Sequence, residues 1–226
     1  MKTNKLIWNE RFKGKAQSKY PCELLISFLA TNYSSYLRKN KIKILELGCG
    51  NGSNLWMVAK EGFRAYGLDF SKNAIKLCRK KLRDWRVEAD LKVADMKKIP
   101  YPDNQFDAIF DIRSMQYLNL AEHKEAYQEV IRCLKPGGNF FQVHVGADST
   151  PFAVKKGKKI DDCTLENISD QKMTLYGTGS TCFLKVSLIS RLLKAASFTG
   201  INVEIYTRTY KNRSQIKEYL IVKCGK

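Results

Sequence analysis

Residues 44–55 read ILELGCGNGSNL. An apolar run stops at three glycines within five residues, Gly48, Gly50 and Gly52, and a new apolar pattern begins at once. Backbone without a Cβ permits angles and close approaches that other residues forbid. The run over 42–47 reads as a buried strand, and 53–61 reads as the helix after it, ending at Gly62. The same alternation continues outward. A strand over 64–68 stops at Asp69, and Ser71 caps a basic helix running to about Leu82. A short strand near 91–93 leads to Asp95 and Met96. The turn IPYPDNQ (99–105) precedes a strand over 106–112. Residues 121–134 set Tyr127, Val130, Ile131 and Leu134 on one helical face, KPGG (135–138) ends that helix, and 139–145 is a strand.

At the flanks the pattern changes. Residues 1–40 read as mostly helical, with Pro21 opening a helix whose apolar face holds Leu24, Leu25, Phe28 and Leu29. Residues 147–180 are polar and irregular. A later helix presents Ile189, Leu192, Leu193 and Ala196, and strands near 201–207 and 217–223 close the chain. Strand and helix alternating at this spacing give an α/β fold, a parallel sheet covered on both faces by right-handed connections. Ligands of such sheets lie beyond the carboxyl ends of the strands. The last two strands have no helix between them, so they form an antiparallel pair at the sheet edge. The expected organisation is one domain over 1–226: a helical cap (1–40), a core (41–146), an insert or substrate loop (147–180), and a terminal helix with the strand pair (181–226).

Composition narrows the function classes. With 226 residues, 44% of them hydrophobic and 11% aromatic, the chain can bury a sizeable core. It contains no apolar run long enough to span a bilayer and no secretory h-region, so a soluble cytoplasmic protein is expected. Seven cysteines at 22, 49, 78, 133, 163, 182 and 224, without a CxxC, read as reduced thiols used as small apolar groups. With only His123 and His144 besides, no metal site is expected. Lys and Arg number 40 against 22 Asp and Glu, a formal charge of +18. Residues 1–45 hold ten basic and two acidic side chains, 72–86 hold seven and one, and KKGKK covers 155–159. An excess so dispersed reads as a solvated surface, with nucleic acid as the rival explanation.

The glycine turn alone is shared by many nucleotide binders, but it has the form GxGxG rather than GxGxxG. It is preceded by Glu46, and a second carboxylate, Asp69, ends the next strand, where it can accept both hydroxyls of a ribose. Taken together, LELGCGNGSN, YGLDFS, VADMKKIPYPDNQFDAIFD and EVIRCLKPGGNFF resemble the successive motifs of the class I S-adenosylmethionine-dependent methyltransferases over roughly 42–145. The resemblance implies a Rossmann-like three-layer sandwich on a seven-stranded mixed sheet with its last strand antiparallel, and S-adenosyl-L-methionine as cofactor. It also implies residue roles. Glu46 with Gly48, Cys49, Gly50 and Gly52 would border the methionine moiety. Asp69 would bind the ribose and Phe70 would lie along the adenine. Asp95 and the Met96 backbone would meet the adenine edge, and Asp111 and Ile112 would face the methyl-bearing end. For Phe70 and Met96 core packing is the competing role.

Around the acceptor, His144 is the first candidate for a base, because imidazole titrates in the useful range. A hydrogen-bonded structural role is the alternative. Asp111, Arg113 and Tyr117 in DIRSMQYL, likewise near a strand end, are the other candidates; Arg113 would either bind an anionic acceptor or pair with Asp111, and Tyr117 is also a candidate substrate residue. His123, before a helix, is expected to have no catalytic role. Trp8, Arg11, Phe12 and Tyr20 would form part of a lid over the cofactor or an amphipathic helix packed on the sheet, with Trp8, Arg11 and Tyr20 as substrate residues, and Tyr176-Gly177-Thr178-Gly179 would be a mobile loop or a turn. The strand ending DIRS lacks the Pro-Pro-Tyr signature of amine-methylating base modifiers, and no Pro-Cys nucleophile is present. Such gaps favour a small-molecule acceptor, and resemblance to methyltransferases of polysaccharide biosynthesis implies a sugar or sugar-nucleotide hydroxyl. The rivals are an RNA or nucleic-acid methyltransferase, a non-catalytic cofactor-binding partner subunit, and a nicotinamide dehydrogenase, which GxGxG disfavours.

Overall fold

A computed structural model describes residues 4–14, 18–173 and 175–226. The pieces of the expected cap at 1–3 and 15–17 lie outside the described residues. In chain order the helices and strands are α1 (Asn4–Gly14), α2 (Glu23–Tyr33), β1 (Lys43–Leu47), α3 (Leu55–Lys60), β2 (Arg64–Asp69), α4 (Lys72–Asp84), β3 (Asp90–Val93), β4 (Phe106–Ile112), α5 (Leu120–Cys133), β5 (Leu134–Val145), α6 (Thr150–Ala153), β6 (Lys158–Lys159), β7 (Thr164–Glu166), β8 (Ser180–Cys182), α7 (Val186–Ala195), β9 (Thr199–Tyr210) and β10 (Gln215–Gly225).

Seven strands form one sheet in the order β3-β2-β1-β4-β5-β10-β9. β1, the strand of the quoted stretch, is central and pairs in parallel with β2 and β4, setting Leu47 beside both Leu68 and Asp111. β10 runs antiparallel to β5 and to β9, so the last strand is antiparallel as expected, while β9 takes the edge. Alternation along the strands feeds two cores. One face buries Ile44, Phe110, Phe141 and Val143 against Leu25 and Phe28 of α2, Leu55 of α3 and Ile75 of α4. The other buries Leu45, Ile109, Phe140 and Leu220 against Tyr127 and Val130 of α5 and Ile189 and Leu193 of α7. Three layers result.

Local chemistry sets the boundaries. Ser71 accepts a hydrogen bond from the Ala74 N–H at 3.1 Å and starts α4, and Asn119 with Glu122 closes a capping box on α5. Pro21 lies before Cys22, the residue that precedes α2, so it sets the approach to the helix rather than its first turn. At 135–138 the expectation needs correction. KPGG ends α5 but does not form a free turn, because β5 already pairs with β4 at Leu134. A register shift between Phe106 and Ala108 absorbs the extra residues, and Gly137 supplies the left-handed φ of 75° that this bulge requires. The segment 147–180 contains more structure than its polarity suggests. β6, β7 and β8 form a small antiparallel sheet, and Leu165, Ile168, Leu175 and Phe183 pack there against Val145. All seven cysteines are free thiols.

Candidate active site

A cavity of about 340 Å³ opens at the carboxyl ends of β1, β2 and β4. The glycine turn forms one wall. Gly48, Gly50 and Gly52 all hold left-handed φ, at 60°, 53° and 77°. At Gly48 space is also decisive, because a Cβ would lie 2.3 Å from the Ser114 side chain.

Two carboxylates sit at the strand ends behind this wall. Asp69 is buried, and Oδ2 accepts from the Gly50 N–H at 3.0 Å while Oδ1 accepts from the Ser71 N–H at 2.8 Å. Each oxygen keeps a lone pair for a further donor. Burial pushes its carboxyl up to about 6, against the pull of those two N–H donors. Glu46 is buried beside it, and Oε1 accepts from Asn54 Nδ2 at 2.7 Å. Its Oε2 is enclosed and has no hydrogen-bond partner among the described residues. Burial raises this carboxyl well above the usual carboxylate range. An orphaned carboxylate oxygen beside a cavity is where a ligand cation fits.

Among the residues expected to meet the cofactor, Glu46, Gly48, Cys49, Gly50, Asp69, Phe70, Met96 and Ile112 line the cavity. Three do not. Gly52 faces α4, where a Cβ would meet Cys78 Sγ at 2.6 Å. Asp95 is exposed and lines an adjoining cavity, which shares Phe70, Met96, Ser114 and Tyr117 with the first. Asp111 is fully buried beneath the floor. Its Oδ1 accepts from the backbone N–H groups of Ser114 (2.9 Å) and Met115 (3.0 Å) and from the Ser114 hydroxyl, and Gln142 Nε2 reaches Oδ2 at 3.4 Å. Asp111 therefore shapes the turn at Met115–Tyr117 that carries the wall, and does not itself reach a ligand. Among the described residues it has no ion pair with Arg113.

The structure does not bring His144 to the cavity. Successive strand residues face opposite sides, so His144 follows Phe140 and Gln142 onto the α5 face. There its Nε2 lies 3.0 Å from His123 Nε2 and its Nδ1 lies 2.8 Å from the Val145 carbonyl oxygen. Both imidazoles are 0% exposed, and burial pulls His123 down to about 4 and His144 to about 3. They are the neutral, hydrogen-bonded structural pair of the alternative reading.

α1 roofs the cavity with Trp8 and Phe12, and Phe12 stands 3.3 Å from where a Gly50 Cβ would be. The helix is tied down along its length. Asn4 Nδ2 donates to the Tyr117 carbonyl at 2.7 Å, and its Oδ1 accepts from the Ser180 N–H at 2.9 Å. Asn9 Oδ1 accepts from the Ser71 hydroxyl at 2.8 Å. The Trp8 ring packs 4.6 Å from that of Tyr117. Tyr20 and Tyr117 line the cavity, as expected of substrate residues, whereas Arg11 lies outside it, donating to the Gly177 carbonyl at 3.0 Å.

At the far end Arg113, Gln116 and Lys217 complete the lining. Arg113 holds a left-handed φ of 64°. Lys217, near the start of β10, is only 9% exposed, and burial followed by the nearby Arg113 charge pulls its ammonium down to about 8. Ser114, Gln116, Asn54 and Lys217 were not marked by the sequence. Asn54 and Ser114 stand next to marked motifs, but Lys217 lies more than a hundred residues away, and only its position opening an apolar strand distinguishes it.

Comparison with known proteins agrees with this geometry. The profile of a family described as a methyltransferase domain matches residues 44–138. A methyltransferase GfsG of Streptomyces halstedii is 35% identical over 101 residues, 42% of this chain, which spans only 35% of that relative's length. A malonyl-[acyl-carrier protein] O-methyltransferase of Buchnera aphidicola is 30% identical over 203 residues, 86% of this chain and 76% of that one. A solved structure of an S-adenosylmethionine-dependent methyltransferase from Methanosarcina mazei has the same fold, with a TM-score of 0.70 at 19% identity over 85% of this chain and 95% of that one. Likeness sustained over the greater part of both chains, and not over the glycine turn alone, makes this chain a member of the class I S-adenosylmethionine-dependent methyltransferases.

Proposed function

We propose that the protein transfers a methyl group from S-adenosylmethionine to a small organic molecule held in the roofed cavity. The observation that carries this reading is Glu46, whose buried, unpartnered Oε2 lies beside the glycine turn and suits the ammonium of the cofactor's amino-acid end. Asp69, held by the Gly50 and Ser71 N–H groups, keeps lone pairs for the ribose hydroxyls. Phe70 and Met96 flank the place for the adenine, and Asp95 lies at its outer edge. When bound, the cofactor supplies an electrophilic methyl on a positively charged sulfur. The chain's own contribution is to orient the acceptor towards that methyl and to exclude water. Trp8 and Phe12 do the second from above, and Arg113, Ser114 and Tyr117 form the wall that the acceptor meets.

Neither histidine lines the cavity, so a sugar or sugar-nucleotide hydroxyl would find no imidazole base there. The proposal therefore rests at a small-molecule acceptor. An acceptor atom that already carries a negative charge or a free lone pair at neutral pH needs no such base.

Calorimetric titration with S-adenosylmethionine and S-adenosylhomocysteine, with NAD as control, tests the cofactor half. Binding of the first two and not NAD is expected, weakened about 10- to 100-fold by Asp69→Ala, which removes two charge-assisted hydrogen bonds. Incubation with methyl-labelled cofactor and a mixed metabolite extract tests the other half, with label expected in the small-molecule fraction. Folded protein that binds neither sulfur ligand would overturn the proposal.

A further inference from the structure

The far end of the cavity is built from cations without counter-charges. Lys217 is 91% buried by its 9% exposure, lines the cavity, and among the described residues has no carboxylate within ion-pair distance. Arg113 lines the same wall and is likewise absent from every ion pair of the described residues. Both approach one ring, with Arg113 Cζ at 5.9 Å and Lys217 Nζ at 5.4 Å from the centre of Tyr219. On β9, Arg208 pairs in register with Lys217 and adds a third positive charge. Lys217 is buried and Arg113 beside it is exposed at the cavity wall; the two repel, and among the described residues neither has a carboxylate partner. Trp8 adds, on the same cavity, an enclosed Nε1–H without an acceptor among the described residues. Donors of this number, with no anion among them, await one from outside.

We infer that Arg113 and Lys217 form the anion subsite of the acceptor, which is a small organic anion carrying a carboxylate or a phosphate. This inference rests on the methyltransferase reading only for the word acceptor; the anion site stands on its own geometry. It separates the two ends of one cavity by charge. Glu46 and Asp69 face the cationic cofactor, and Arg113 and Lys217 face the anionic acceptor, so neither ligand is favoured in the other's place. Among phosphorylated acceptors a sugar nucleotide remains compatible, whereas a neutral sugar leaves both cations unpaired.

Benzoate and phenyl phosphate serve as probes for the two anion chemistries, with benzamide and benzyl alcohol as neutral counterparts of similar shape. Each is titrated by ligand-observed NMR into protein saturated with S-adenosylhomocysteine, comparing wild type with Lys217→Gln and Lys217→Arg. At least one anion should bind about tenfold or more tightly than its neutral counterpart, lose that preference in Lys217→Gln and regain it in Lys217→Arg. The stronger of the two anions tells carboxylate from phosphate. Equal binding of anionic and neutral probes would overturn the inference, as would a preference that Lys217→Gln leaves intact. If S-adenosylhomocysteine itself does not bind, the methyltransferase reading falls, and the same titrations on the free protein still decide the anion site.

Discussion

Two kinds of buried titratable residue act in opposite directions on this molecule. Asp69 and Asp111 hold their protons up to about 6, because burial penalises their charged forms. In the unfolded chain a carboxyl ionises near 3.9, so the native state gains stability as pH falls from about 6 towards 4. His123 and His144 do the reverse. They take up protons near 6.5 when unfolded but resist to about 4 and about 3 when folded, so their burial costs stability as pH falls below about 6.5. His144→Gln separates the two: it should cost about 1–3 kcal/mol at pH 7 through lost buried hydrogen bonds, and about 2 kcal/mol of that deficit should vanish by pH 5. Urea unfolding at both pH values measures this, and an unchanged deficit would restore a charged or exposed His144. Asp69 also has a functional pH signature. At pH 5 about a tenth of a carboxylate with pKa near 6 is ionised, so S-adenosylhomocysteine affinity should drop about tenfold from pH 7.5 through this residue alone. Asp69→Asn should remove that part of the slope. That Glu46 and Asp69 line the cavity was legible in sequence, since a charge stopping an apolar run next to a glycine turn has few structural roles. His144 was misread because its strand was counted without its parity. Set at two-residue steps from Phe140, it falls on the face of α5, where His123 and Tyr127, four apart on one helical face, wait to meet it and Gln142.

Elements at the centre of the sheet were readable because each carries its own punctuation: Asp69 and Ser71 around α4, Asn119 and Glu122 at α5, glycines after β1. Those at the periphery lack it. β6, β7 and β8 are two or three residues each, too short for alternation to register, and their sheet exists because Leu165, Ile168 and Phe183 find Val145 on the main fold. α1 has the same dependence on context. Nothing in NKLIWNERFKG announces an apolar face, yet the helix is held across the cavity by asparagine side chains. Asn9 matters most, since its side-chain oxygen and its carbonyl both serve the start of α4, accepting from the Ser71 hydroxyl at 2.8 Å and from Asn73 Nδ2 at 2.9 Å. Asn9→Ala removes the side-chain contacts to the Ser71 hydroxyl and the Asn73 N–H, together worth about 1 kcal/mol, while leaving the main-chain one. The roof should then open more often, and bound S-adenosylhomocysteine should leave about fivefold faster, by the same arithmetic. Stopped-flow fluorescence of Trp8, which faces the cavity, reads that rate. A rate equal to wild type would mean that α1 does not gate the ligand.

Over the whole molecule, charge is divided between an outer surface and an inner cavity, and the two have different consequences. The net +18 is carried mostly by exposed side chains such as Lys72, Lys76, Arg79, Lys80 and Arg83 on the solvent face of α4, whose apolar side packs under the sheet. A field of this kind attracts polyanions without reading them. RNA should therefore adhere to the protein, and with several phosphate contacts its affinity should fall on the order of a thousandfold between about 50 and 200 mM salt. Inside the cavity the balance is local, with two carboxylates at one end and two cations at the other, beneath the roof of α1. Lys217 gives the inner charge its own thermodynamic mark, because an uncompensated ammonium at 9% exposure penalises the folded chain. Lys217→Met should therefore stabilise the free protein, by about 1–3 kcal/mol in urea unfolding at pH 7, while weakening anion binding. Surface variants such as Lys76→Glu with Arg79→Glu should instead reduce RNA adhesion and leave anion binding in the cavity intact. If methyl label passed to RNA from the labelled cofactor, and that transfer were lost with the α4 charges but not with Lys217→Met, the outer surface would be the substrate site and the cavity's anion subsite would have no acceptor to hold. Label confined to small anions, insensitive to the α4 charges and lost with Lys217→Met, is the expected result, because Arg113 and Lys217 line the same cavity as Glu46 and Asp69 whereas the α4 cations lie outside it.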